Sequence, residues 1–511
     1  MELQAAFLAV FSVETLLTIL LCGLFGLFVG SIPGLTATMA VALIVPVTFY
    51  LSDVSAIAAI VTLTAVCIFS GDIPTTLLRI PGTPSSAAYV DDAYALRQKG
   101  RYANALSTSL MFSVTGGLFG TLILFLCAPQ LAVLARQFGT YEYFWLYALG
   151  LSCAAMVSGE SRLKGAIALL LGILFSLVGL SEVHSEPRFT FGSEELISGI
   201  HFIPALIGLF GVSEVLRGLW SVGQSTTAPS INDTPVQTDF SVVRLLSEWY
   251  SMLVRRPWQT IRSCSLGTVI GMIPGAGADI AAWISYTFSK RFSNTPEDYG
   301  SGSEEGLADA SAANNSSLAG AWIPALVLGI PGDSVTAILI GVLMMKNINP
   351  GPDIFTQPEQ VTLIYSIYLS FIVANLVLIP IGYFGIRTSG LILKVPQRVL
   401  LPVILLFCIV GSYAISSSLF DVALILLFGI LGFFLERYQF PLGPVVLGLL
   451  LGADLEATFV QNLTKDRSLG AFFSRPLAAA LGIICLLIWM APAISAGVRK
   501  VRQTSSRNKS A

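Results

Sequence analysis

The chain is dominated by apolar runs long enough to cross a bilayer. A helix spanning a hydrocarbon core needs about 17–25 mostly apolar residues. Such runs occupy Phe7–Gly30, Ala103–Ala128, Tyr141–Ser158, Ala166–Leu180, Ile200–Trp220, Val361–Phe384, Val399–Ile415, Phe420–Leu435 and Leu477–Ile494. Charge is correspondingly thin. Of 511 residues, 28 are Lys or Arg and 30 are Asp or Glu, 11% together, where an average soluble domain carries about 25%. A hydrophobic content of 54% also excludes disorder. The chain reads as an all-α polytopic membrane protein. Its net charge of −2 gives no reason to expect nucleic acid as a partner. The seven cysteines lie in or beside apolar runs without a CxxC pair, so they read as packing residues. The start, Met1-Glu2-Leu3-Gln4, lacks the basic region of a signal peptide, and the first apolar run is read as retained.

Between these runs lie segments interrupted by Pro and Gly: Pro33–Leu51, Val54–Ile80, Ser263–Tyr286, Ser316–Ile330 and Ser334–Met345. In lipid every backbone polar group needs a partner, so a broken helix survives only inside protein or beside a wet cavity. The longest polar stretch mid-chain, Ser221–Asp239, reads as a linker, and Ser289–Ser311 as an acidic, Gly/Ser-rich loop. The expected organisation is a first half over 1–220, a linker over 221–242, a second half over 243–497 and a basic tail over 498–511. Arg499, Lys500, Arg502, Arg507 and Lys509 place that tail in the cytoplasm by the positive-inside rule.

The two halves repeat each other. GSIPGLTATMA at Gly30–Ala40 matches GMIPGAGADIA at Gly271–Ala281, 241 residues later. IPGTPSSA at Ile80–Ala87 matches IPGDSVTA at Ile330–Ala337, 250 residues later. The basic residues switch sides between equivalent loops. Arg97, Lys99 and Arg101 follow the second break of the first half, whereas the equivalent loop of the second half holds only Lys346. Arg255, Arg256 and Arg262 open the second half, while the first opens on Glu2; Lys290 and Arg291 stand where the first half has Leu51-Ser52-Asp53. Equivalent loops on opposite faces define an inverted-topology repeat, the arrangement of secondary transporters whose discontinuous helices meet near the midplane.

Four Pro-Gly breaks then become the candidate site: Pro33-Gly34, Pro81-Gly82, Pro274-Gly275 and Pro331-Gly332. Proline frees carbonyls in the preceding turn and glycine lets the chain change direction. A half-helix starting after a break presents N–H groups to an anion, while the freed carbonyls suit a cation. Hydroxyls cluster there: Thr36 and Thr38; Thr83, Ser85 and Ser86; Ser334 and Thr336. With Gly277 and the amides of Asn314 and Asn315, the set suits a carboxylate together with Na⁺. Asp72, Asp279 and Asp333 lie beside breaks and are candidate cation ligands or proton carriers, because acids inside a membrane are costly and functional. Arg79 would neutralise one of them or attract the substrate. Arg162, Arg217, Glu160 and Glu214 sit at span ends, where snorkelling explains them.

No Walker motif, HExxH or GxSxG occurs. The only histidines are His184, in the loop Glu182–Glu195, and His201. An enzyme has no support in these patterns.

With these residues in view, the sequence resembles the large transmembrane subunit of the bacterial tripartite tricarboxylate transporters. The matching stretches are Gly30–Pro46, Ile80–Leu106, Gly271–Tyr286, Gly306–Ser316, Leu328–Gly341, Asn349–Pro352 and Pro441–Glu456 with Arg475-Pro476. The resemblance implies an ion-coupled importer of a di- or tricarboxylate or related organic anion in the bacterial cytoplasmic (inner) membrane. It also implies two partners, a small four-helix membrane subunit and a periplasmic solute-binding protein, and no cofactor beyond the coupling ion, Na⁺ or alternatively H⁺. An elevator-like movement of the broken-helix region is expected by analogy with other inverted-repeat anion transporters. Ser311 stands where the family usually has Glu, and its Pro-Pro-x-Pro is reduced to Pro441-Leu-Gly-Pro444. A stand-alone carboxylate transporter or exchanger, and a non-translocating receptor or scaffold, are the rival readings.

Overall fold

The computed structural model describes residues 2–157, 161–181, 186–222, 241–392 and 397–490. These are helical apart from loops and one small antiparallel ribbon. Among the described residues seven helices are long and apolar enough to cross a membrane. Two run well past the apolar stretches that announce them, Tyr102–Ala135 with 34 residues and Pro358–Ile392 with 35. A third, Leu442–Lys465, begins one residue into the Pro441–Glu456 block, which the apolar pattern does not mark as a span because Asp454 and Glu456 interrupt it. Most of the polar linker, His184 and the basic tail lie outside the described residues.

The chain divides into two compact units, and each draws on both halves of the sequence. The larger comprises Met1–Arg136 and Ile200–Tyr438. Two helix pairs in it pack in the same way. Gly26 and Gly30 of Val13–Gly30 face the carbonyls of Leu63 and Cys67 in Asp53–Ser70, where a methyl would stand only 2.7 Å from each oxygen. Gly267 and Gly271 of Pro257–Gly271 face the carbonyls of Ala313 and Ser317 in Glu304–Leu328, closer still. Small residues let membrane helices approach backbone to backbone, where dispersion and not water exclusion drives association. Both pairs obey the offsets of 241 and 250 residues that relate the sequence motifs.

Glu304–Leu328 differs from the expected loop. Ser303 caps it by accepting from Gly306 N–H, so Glu304–Ser311 form its first turns and not part of a polar connection. Asp309 and Ser311 are both buried there. Arg262 reaches Asp309 at 2.9 Å from the neighbouring helix, which is why an acid tolerates the position. The run of Ala, Gly and Ser that looks like a loop is a close-packing face: Gly116 and Gly120 of Tyr102–Ala135 lie against the carbonyls of Ala312 and Ser316. Nearby, Asp92 ties Val90–Gln98 to the loop ahead of this helix. It accepts from Gly300, Gly302 and Ser303 N–H at 2.7, 2.8 and 2.8 Å and from Tyr286 Oη at 2.6 Å.

The smaller unit comprises Gln137–Gly199 and Gln439–Ala511. Arg162–Ser176 packs on Leu442–Lys465 through Gly172, which faces the Val445 carbonyl. The ribbon pairs Gly179–Leu180 with Pro187–Arg188. Arg188 holds Glu456 by two bonds of 2.6 and 2.8 Å, and Arg475 holds the buried Glu142 at 2.7 Å. Glu456, matched by resemblance, therefore has a structural partner.

Candidate functional site

Three of the four breaks start a helix as expected. After Pro33-Gly34, Thr36 caps Ala37–Tyr50 through Met39 N–H at 3.2 Å. After Pro274-Gly275 comes Gly277–Phe292, with Gly34, Gly275 and Gly277 all at positive φ, where an L side chain is strained. After Pro331-Gly332, Asp333 caps Ser334–Met345 in a reciprocal box: Thr336 N–H donates to Asp333 Oδ1 at 2.8 Å and Asp333 N–H to Thr336 Oγ1 at 2.9 Å. The second break departs from the pattern. Pro81-Gly82 leads first into a 3₁₀ turn, Ser86–Tyr89, and only through it into the short helix Val90–Gln98. Its own hydroxyls hold it in that shape, because Gly82 N–H donates to Thr75 Oγ1 at 3.1 Å and Thr83 N–H to Ser86 Oγ at 3.1 Å.

The breaks converge on one cavity of about 580 Å³ within the larger unit. Gly34, Thr36 and Thr38 line it from the first break; Pro81, Gly82, Thr83 and Ser85 from the second; Gly277 and Asp279 from the third; and Asp333 and Ser334 from the fourth. Asn314 completes the wall. Ser85 is the knot of the set. Its N–H donates to Asp279 Oδ1 at 3.0 Å, its Oγ accepts from Asn314 Nδ2 at 2.9 Å, and it shares a 2.9 Å hydroxyl contact with Thr83. Asn314 Oδ1 is buried with no hydrogen-bond partner among the described residues. First-turn N–H groups of three helices and several neutral oxygens thus border one space, a donor set for an anion beside an acceptor set for a cation.

Other candidates lie elsewhere. Asn315 points away, its Nδ2 donating to Ser113 O at 2.8 Å and lying 3.2 Å from Asn375 Oδ1. Adjacent helical residues differ by about 100° in direction, and here that turn aims the Asn315 amide at Ser113 and Asn375 and not at the cavity. Gly275 and Gly332 hold two breaks together by an N–H to O bond of 2.8 Å and do not line the space. Thr336 is buried in the cap. Asp72 is buried behind the second break, accepting from Tyr89 Oη at 2.6 Å and from Ser109. Arg79 neither neutralises an acid beside a break nor lines the cavity. It is exposed, at left-handed φ 58°, and pairs with Asp91 at 2.7 Å.

The reading of Glu214 and Arg217 as snorkelling residues also fails. Both line the cavity, with Glu436 of Leu419–Arg437 beside them. Glu214 Oε2 lies 2.5 Å from Arg217 Nη2, and Glu436 lies 3.8 Å from the same guanidinium. The Glu214 side chain is only 8% exposed, so it is enclosed in protein and does not reach for water. The available signal was their i, i+3 spacing, which places both on one helix face.

Residues 16–447 match the Tripartite tricarboxylate transporter TctA family. The chain belongs to this family. As a TctA family protein it is a multi-pass membrane component of tricarboxylate transport. An uncharacterized 52.8 kDa protein of Agrobacterium vitis, from the TAR-I ttuC′ 3′ region, is 34% identical over 484 residues, covering 94% of this chain and 93% of the relative. A second Agrobacterium vitis protein, from the TAR-II ttuC′ 3′ region, is 34% identical over 232 residues, covering 45% of this chain and 95% of the relative. No solved structure matches the chain.

Proposed function

We propose that this TctA family chain is the large permease subunit of a tripartite, cation-gradient-driven carboxylate importer. It sits in the bacterial inner membrane and receives its substrate from a periplasmic solute-binding protein. A small four-helix membrane subunit works beside it, and the basic tail lies in the cytoplasm. The two halves form inverted repeats, and the broken helices carry the substrate across in an elevator-like movement. Na⁺ is the coupling ion, with H⁺ the alternative.

The carrying observation is the charge of the cavity. Asp279, Asp333, Glu214 and Glu436 line it, with Arg217 as the one Lys or Arg among the described residues. Like charges 4 Å apart repel by about 4 kcal/mol at an effective dielectric constant of 20. A carboxylate therefore enters such a space only with compensating cations, which is the physical content of symport. Arg217 is the natural partner for a substrate carboxylate.

Reconstitution in liposomes tests the reading. The complete complex should take up the ligand that copurifies with the binding protein, and uptake should collapse without a Na⁺ gradient. Uptake driven by ΔpH alone would assign protons. Uptake that survives removal of the small subunit would favour a stand-alone transporter, and no flux at all a receptor or scaffold.

A further inference from the structure

Arg217 is already engaged. Glu214 sits 2.5 Å from its Nη2, Glu436 3.8 Å from its Nη1, and the Gly34 carbonyl accepts from Nη2 at 3.4 Å. Among the described residues it is the only basic side chain lining the cavity. A guanidinium binds a carboxylate best through a two-pronged face. Both two-pronged faces use Nη2, which already meets Glu214 and the Gly34 carbonyl, so a carboxylate from outside that binds in this way competes with Glu214 for it.

Displacement leaves Glu214 in difficulty. It sits in a helix able to cross the membrane, Phe202–Trp220, with its side chain nine-tenths enclosed. Among the described side chains, the groups around it offer no replacement cation. Glu436 on Leu419–Arg437 is itself acidic, and Arg437 on that helix stacks over Trp220 at 4.3 Å. The first break contributes Gly34, whose ideal Cβ would lie 3.9 Å from Glu214 Oε1 and which brings no charge. Ala37–Tyr50 carries no charged residue, nor do the described side chains of Gln397–Ser416. Across the cavity stand Asp279 and Asp333, both acidic. Leaving one partner of a buried pair uncompensated is strongly unfavourable, and a carboxylate in that position takes a proton instead.

We propose that Glu214 is a built-in stand-in for the substrate carboxylate and the proton site of the cavity. When a substrate carboxylate takes Arg217, Glu214 binds one proton from solution; when the substrate leaves, Glu214 releases it and closes on Arg217 again. One ion pair breaks, an equivalent one forms, and one O–H bond is gained at Glu214. This deepens the carboxylate-import reading and rests on it. It adds a proton to each cycle whichever ion supplies the main gradient.

The test is calorimetric titration of the purified full-length chain with citrate, in two buffers of different ionisation enthalpy. Wild type should take up about one more proton per citrate bound than Glu214→Gln, and Glu214→Gln should bind citrate at least as tightly. Arg217→Gln should bind at least tenfold more weakly. In wild type alone, affinity corrected for citrate's own ionisation should rise as pH falls, by up to tenfold per pH unit. Equal proton uptake by wild type and Glu214→Gln, a pH-independent corrected affinity, or full-strength binding by Arg217→Gln would overturn the proposal while leaving carboxylate binding intact. Wild type that binds neither citrate, malate nor succinate would overturn the import reading, and this proposal with it.

Discussion

The backbone N–H of Ser85 donates to Asp279 Oδ1 at 3.0 Å, joining the second helix break to the third. The two residues are 194 positions apart, so this bond is a product of the fold and not of local sequence. A hydrogen bond to a carboxylate is worth about 1.5–3 kcal/mol. Asp279→Ala should lower initial uptake at least tenfold, while Asp279→Asn, which keeps an acceptor, should lower it less. Equal uptake by both variants in cells with matched membrane abundance would remove this bond from the mechanism.

Asn314 reaches the same serine from the middle of Glu304–Leu328, and Gly82 lies against Gly71, where a methyl would stand 2.6 Å from the Gly71 Cα. Asn314→Ala should abolish uptake while leaving the amount of protein in the membrane intact; Gly82→Leu, which drives a side chain into the Gly71 backbone, should abolish uptake and lower the amount of folded protein as well. Immunoblots of membranes beside transport assays give both readouts. Uptake surviving both changes would move the substrate site elsewhere.

Asp92 should matter to stability more than to chemistry. It accepts three backbone N–H bonds and one from Tyr286, and it is fully buried. Asp92→Ala leaves those donors unsatisfied, at roughly 1–3 kcal/mol each where water cannot enter. The variant should melt well below wild type in detergent and be cut by protease within residues 293–303. An unchanged melting temperature would contradict the clamp.

The paired helix contacts predict paired damage. Gly26→Leu and Gly267→Leu both push a side chain into the backbone of a neighbouring helix, at Leu63 and Ala313. Both should lower the melting temperature sharply. Gly390→Ala, where an added methyl meets nothing within 4 Å, should be neutral or stabilising by up to about 1 kcal/mol. A mild effect at Gly26 with a severe one at Gly267 would show that the two pairs are not energetically alike.

The breaks were legible because Pro-Gly inside an apolar run has few tolerable environments in lipid. Thr36, Ser85, Asp279, Asn314 and Ser334 all reach the cavity they suggest. What escaped notice depends on partners far along the chain. Glu214 and Arg217 look like span-end charges until Glu436 and Gly34 are brought beside them. Asp309 looks like loop acidity until Arg262 neutralises it. Asn315 and Asp72 are the converse. Their chemistry is right, but helix phase turns one toward Ser113, and packing seals the other behind Tyr89.

The interleaving of the two units has a consequence for biogenesis. Thr140–Val157 and Arg162–Ser176 leave the ribosome long before Leu442–Lys465, the helix against which both pack. At roughly 5–20 residues per second the delay is on the order of tens of seconds. For that interval the early helices wait in the bilayer without their companion, while residues 200–438 are synthesised. Truncation before residue 442 should therefore leave Gln137–Gly199 inserted but unassembled, a natural substrate for membrane quality control.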